Sequence, residues 1–158
     1  MSLEVRRVIT GHDSNGKAVV KLDEFSKNVI TRRPGANSTV IWATDSTPTD
    51  LGDDTDISAD VTSTVVSNGS VCRISRFDPG VSPRVHRTNS IDYAIVLKGE
   101  IDMELDDETV HLKAGDVLVQ RGTVHNWVNN GNEPCMIAFI LIHAAMPEFG
   151  GKPAEPYG

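Results

Sequence analysis

The chain has 158 residues, 39% of them hydrophobic and 23% charged, with a formal net charge of −7 at neutral pH. That length suffices for one domain that buries most of its unfolded surface, with no disulfide or structural metal needed for stability. The acidic balance disfavours phosphate backbones and anionic membrane surfaces, because Arg6-Arg7 and Arg32-Arg33 are only short basic pairs, so neither nucleic acid nor membrane is an expected partner.

Two cysteines, Cys72 and Cys135, stand singly in apolar stretches without a CxxC spacing. They read as buried free thiols in a reducing, cytoplasmic compartment. The first residues, MSLEVRRVITGHD, lack an apolar signal core, and no window approaches the roughly 18 apolar residues of a membrane span.

In chain order, Val5 to Ile9 and Ala18 to Leu22 flank Ser14-Asn15-Gly16. Asn-Gly between apolar runs predicts a hairpin, because both residues tolerate positive φ. The run Ser38 to Thr44 predicts a further strand, with Trp42 available for burial. From Asp45 to Thr62 the sequence is polar and acidic and contains Pro48, which predicts an exposed excursion. Its Asp53-Asp54-Thr55-Asp56 cluster lacks the glycine and terminal Glu of an EF-hand loop and reads as solvated rather than calcium-binding.

After Ser70 the strands become dense: Val71 to Phe77, Ile91 to Leu97, Glu100 to Leu105, Thr109 to Leu112, Asp116 to Gln120, His125 to Val128 and Met136 to Ile142. The turns between them carry ordinary turn chemistry, and nothing sustains a helical apolar period. A meander of short strands must bury two faces or close on itself, which predicts an all-β sandwich or barrel with little helix. The Gly/Pro-rich segment beyond Met146 reads as a tail.

Two stretches carry the chemistry. Gly80, His86, Thr88, Asp92 and Gly99 are spaced along PGVSPRVHRTNSIDYAIVLKGE, and GDVLVQRGTVHNWVN supplies His125. The first resembles the leading motif of the cupin family and the second its closing motif. The HRT...DY and QRGT.H.W.N patterns resemble those of small single-domain cupins. The resemblance implies a double-stranded β-helix, or jelly-roll barrel, with an N-terminal β-hairpin extension. It divides the chain into residues 1–69 as N-terminal strands and an acidic loop packing on the barrel, 70–145 as the core barrel, and 146–158 as a tail, one structural domain in all. It also implies a homodimer, with the N-terminal extension packing across a partner subunit.

In cupins the positions of His86, Thr88, Asp92 and His125 are usually His, His, Glu and His, all metal ligands. Here Thr88 offers a poor ligand and Asp92 is one methylene shorter. Two imidazoles and a carboxylate, His86, His125 and Asp92, still match a ligand set for one divalent metal (Fe, Zn, Mn or Ni). The other reading is a metal-free pocket in which both histidines hydrogen-bond and Asp92 fixes a tautomer or tunes a pKa.

Strand parity puts His86, Thr88, Ser90, Asp92, Ala94 and Val96 on one face, with His125, Trp127 and Asn129 sharing another. Catalysis is assigned to His86, Asp92 and His125, and substrate binding to Thr88, Trp127, Gln120 and Arg73. Trp127 would be a pocket wall and Arg73 a carboxylate or enolate clamp. Tyr93 and Arg121 fall on the outer side, and His12, His111 and His143 read as surface or packing residues. The function that follows is a small-molecule-binding cupin, acting on an oxygenated or aromatic compound by metal-assisted or His/Asp acid–base chemistry. The alternative is a non-catalytic, metal-free ligand-binding module.

Overall fold

A computed structural model describes residues 3–158. Among them every regular element is a strand. The first two, β1 (Arg6–His12) and β2 (Ala18–Phe25), form the hairpin that Asn15-Gly16 predicts. The Asp13 carboxylate accepts the backbone N–H groups of Asn15 and Lys17 at 2.8 and 2.9 Å and closes the turn. His12, read from sequence as a surface or packing residue, is the exposed last residue of β1.

A six-stranded sheet follows the order β3–β4–β5–β11–β6–β9. Its members are β3 (Val29–Arg33), β4 (Ala36–Thr44), β5 (Ser70–Phe77), β6 (Ser90–Lys98), β9 (Val117–Arg121) and β11 (Cys135–His143). The second sheet holds β7 (Glu100–Glu104), β8 (Thr109–Lys113) and β10 (Asn126–Val128), in the order β10–β7–β8. All pairings are antiparallel. This is the double-stranded β-helix of the sequence reading, and the strands after Ser70 match their expected spans to within a residue or two.

The core is built by period-two alternation. Along β11, Cys135, Ile137, Phe139 and Leu141 are buried while the intervening residues are not. Opposite them, Ile101, Met103 and Leu112 of the smaller sheet face inward with Trp127. Full burial of each such aliphatic side chain contributes roughly 1.5–3 kcal/mol. Outward residues of β6 and β9, among them Tyr93, Leu97, Val117 and Val119, stay exposed. Gly99, at the turn between β6 and β7, has φ +76° and lies so close to Pro134 that a Cβ would come within 2.7 Å of its carbonyl oxygen. Only glycine satisfies both constraints.

Several features were not legible in the sequence. β3 went unread, although it forms one edge of the large sheet and carries Arg32 and Arg33. The excursion after β4 is less solvated than expected: Asp54 pairs with Lys21 at 2.9 Å, Asp56 pairs with Arg7 at 2.7 Å, and Ser58 and Val61 are buried. These ion pairs tie the loop to the N-terminal hairpin. Cys72 is half-buried rather than buried. The tail forms a short hairpin, β12 (Glu148–Phe149) with β13 (Lys152–Pro153), and returns to bridge Tyr157 to Arg87 beside the barrel mouth.

Candidate functional site

The segment leading into β6 keeps strand parity before regular pairing begins. His86, Thr88, Ser90 and Asp92 are consequently all buried on the barrel side. His125 lies just before β10, and an isolated antiparallel bridge joins it to His86: the backbone N–H of each donates to the oxygen of the other at 3.0 Å. That bridge brings the imidazoles together, with ring centroids 4.1 Å apart. Trp127 stands edge-on to His125 at 6.0 Å and packs on Phe139 at 5.5 Å, giving the pocket an aromatic wall.

Backbone oxygens orient both histidines. His86 Nδ1 lies 2.9 Å from the Arg84 oxygen and His125 Nδ1 lies 3.0 Å from the Thr123 oxygen. A carbonyl can only accept, so each Nδ1 carries the proton and each Nε2 keeps a free lone pair. Both rings are held neutral. Burial, then the neighbouring His125, then the charges of Arg84 and Arg33 push His86 down to about 3. Burial and Arg84 also lower His125. Asp92 moves the other way: burial raises its carboxyl to about 6, against the opposing pull of Ser90 and Arg73. The Ser90 hydroxyl lies 2.5 Å from Asp92 Oδ1 and 3.0 Å from Thr88 Oγ1.

His86, Thr88, Asp92, His125 and Trp127 line a cavity of about 70 Å³ together with Arg73, Phe139 and Leu141, room for about two water molecules. Six of the seven residues singled out from sequence are in that lining: Arg73, His86, Thr88, Asp92, His125 and Trp127. Gln120 is not. It is buried beside Asp92 in the β6–β9 ladder, but its amide nitrogen bonds Thr123 Oγ1. Tyr93 and Arg121 are exposed, as parity predicts.

Sequence reading missed Arg32, Arg33 and Arg84, which line the same cavity. Arg84 was findable, since it precedes His86 by two residues and shares its parity. Arg32 and Arg33 reach the site only through the pairing of β3 with β4, which no local pattern signals. A larger groove of about 530 Å³ runs between the N-terminal hairpin and the acidic loop. Two of its aspartates, Asp54 and Asp56, are committed to Lys21 and Arg7, and it holds no histidine.

Residues 73–142 match the family model described as a cupin domain. A cupin-domain-containing oxidoreductase of Aspergillus ruber, fogC, is 36% identical over 97% of this chain and 79% of its own length. The chain belongs to the cupin family. Phomopsin biosynthesis cluster protein D of Diaporthe leptostromiformis is 39% identical over 92% of this cupin and 82% of its own length. Among solved structures, the cupin domain of Schizosaccharomyces pombe Cnp3 superposes with a TM-score of 0.55 at 12% identity, covering 90% of this chain and 89% of that one. At that identity the likeness concerns the fold.

Cupins often bind a metal, and His86, His125 and Asp92 were the candidate ligands. Among the described residues, no group of three or more His, Cys, Asp or Glu side chains stands close enough together to hold an ion. The third histidine position holds Thr88, and the Asp92 carboxylate engages Ser90. The charges of Arg33, Arg73 and Arg84, felt by His86 and Asp92, add repulsion for a dication. The residues present do not fit a divalent metal.

Proposed function

We propose that this cupin binds a small oxygenated organic molecule in the barrel and exchanges a proton with it through Asp92. General acid–base groups work best with a pKa near the ambient pH. Asp92, raised to about 6, meets that condition, whereas His86, lowered to about 3, is too weak a base. The two histidines have a different role. Each presents a neutral Nε2 that accepts a hydrogen bond from a substrate hydroxyl or enol, with Trp127 and Phe139 walling in the carbon skeleton. The observation that carries the reading is the pair of oriented, uncharged imidazoles beside a buried carboxyl with a raised pKa. The oxidoreductase name of the Aspergillus relative is compatible with substrate enolisation, but the balance of a redox step needs a co-reactant that the site does not identify.

The test is a panel of small oxygenated aromatics and acids, followed by thermal shift and by mass-spectrometric turnover with the full chain. A ligand present at a hundred times its dissociation constant stabilises by about 2.7 kcal/mol. The reading predicts at least one such ligand, with turnover that Asp92→Asn reduces by about a hundredfold or more while binding persists. Stabilisation without turnover would leave the non-catalytic binding module. Turnover unaffected in Asp92→Asn would remove the assigned proton carrier.

A further inference from the structure

The same cavity carries an unbalanced charge. Arg32, Arg33, Arg73 and Arg84 all line it, and Asp92 is the one acidic residue among its lining. Yet the chain as a whole has 22 Asp and Glu against 15 Lys and Arg, so the scarcity of carboxylates here is local. None of the four guanidiniums is within ion-pair distance of an Asp or Glu side chain among the described residues. Their bonds go to backbone oxygens: Arg32 to Thr62 and Ser63, Arg33 to Ser82, Arg73 to Ser63 and Thr64, and Arg84 to Gly158. Arg33 also lies over the Phe77 ring at 5.8 Å.

Two of the guanidiniums have unused donors. Arg73 is only 5% exposed, and its buried Nε has no partner; Nη2 of Arg33 is buried and equally unpartnered. A buried charge without a partner costs several kcal/mol, and such groups are retained where something else meets them. The four also repel one another. Arg73 is lowered to about 10, by burial first and then by Arg32 and Arg84, while burial also lowers Arg33 and Arg84, with a smaller push from Arg84 on the first and from Arg32 on the second. All remain charged near neutrality, so the mouth of the pocket is a cationic patch on an acidic protein.

We propose that Arg33, Arg73 and Arg84, with Arg32 at the rim, are a carboxylate receptor, and that the pocket's ligand is a small organic acid with an apolar body. The guanidinium fork matches the plane of a carboxylate and supplies charge-assisted hydrogen bonds. The remaining walls, Trp127, Phe139 and Leu141, suit a ring or short hydrocarbon rather than the all-polar surface of inorganic phosphate. A carboxylate held at the arginines meets the unpartnered Arg33 and Arg73 donors and offsets the positive field acting on His86. This assignment rests on the small-molecule pocket proposed above and adds the charge of its ligand.

Calorimetric titration of the full chain with benzoate, benzyl alcohol and inorganic phosphate separates the two ideas. Benzoate is expected to bind at least about tenfold more tightly than either of the others. Arg73→Gln and Arg84→Gln are each expected to weaken benzoate about tenfold or more. Arg84 is half-buried at the mouth, so its variant tests the idea even if Arg73→Gln folds poorly. Benzyl alcohol binding as tightly as benzoate, or benzoate binding unchanged in folded Arg84→Gln, overturns the receptor and leaves the pocket reading intact. Phosphate outcompeting benzoate overturns the choice of a carboxylate. Failure of both benzoate and benzyl alcohol to bind overturns the receptor and the pocket reading together.

Discussion

Asp92 and His86 make opposite demands on pH. Asp92 sits at about 6 in the folded state against an ordinary 3.8. Between about pH 4 and 6 the unfolded chain ionises first, so the stability associated with its protonated form is full below 4 and lost as pH rises, ~3 kcal/mol in all. His86 sits at about 3 against 6.5. Its contribution is full above 6.5 and is lost as pH falls toward 3, because the unfolded chain takes up the proton first. In the wild type the two partly cancel around pH 5. Urea unfolding at pH 7 and pH 5 should therefore separate the single variants. Asp92→Asn loses about 1–2 kcal/mol more than wild type on acidification, and His86→Gln loses about 1–2 kcal/mol less. Variants that track the wild type at both pH values would contradict these titrations.

At the scale of elements, the strands after Ser70 were legible because each buries one face in a strict period of two, and the turns between them use residues that do little else. The site was partly legible for the same reason: His86, Thr88 and Asp92 announce themselves by parity once the strand is recognised. Arg32 and Arg33 did not, since β3 is mostly exposed and its alternation is weak. Their place depends on long-range pairing through β4. Residue types alone left the metal open between a three-ligand site and a metal-free pocket, and only the packing shows that the Asp92 carboxylate accepts from Ser90. The return of the chain from the acidic excursion into β5 is a tight spot of the same non-local kind. A Cβ on Gly69 would fall 1.8 Å from the Thr44 carbonyl oxygen at the end of β4. Gly69→Ala should cost about 1–3 kcal/mol or more, read as a lowered urea midpoint. An unchanged midpoint would mean that the β4–β5 junction yields freely.

Over the whole molecule, charge is sorted rather than averaged. In the N-terminal hairpin and acidic loop, Glu24, Asp54 and Asp56 pair with Arg7 and Lys21, while the barrel mouth gathers guanidiniums around two histidines. The fold does this by closing the large sheet over the smaller one, so that β3, β5 and the segment before β6 deliver arginines to one cavity from distant parts of the chain. Burial, with a smaller push from the resulting field, keeps both imidazoles neutral and their Nε2 lone pairs available, the state on which the proposed chemistry depends. ¹⁵N-imidazole NMR, with His86 and His125 assigned through single variants, reads that state directly. His86 is predicted to keep the neutral, Nδ1-protonated signature from pH 8 down to about 5, and His125 to keep it at neutral pH and to titrate below the usual histidine range. Either ring titrating near 6.5, as a solvent-exposed histidine does, would contradict the account.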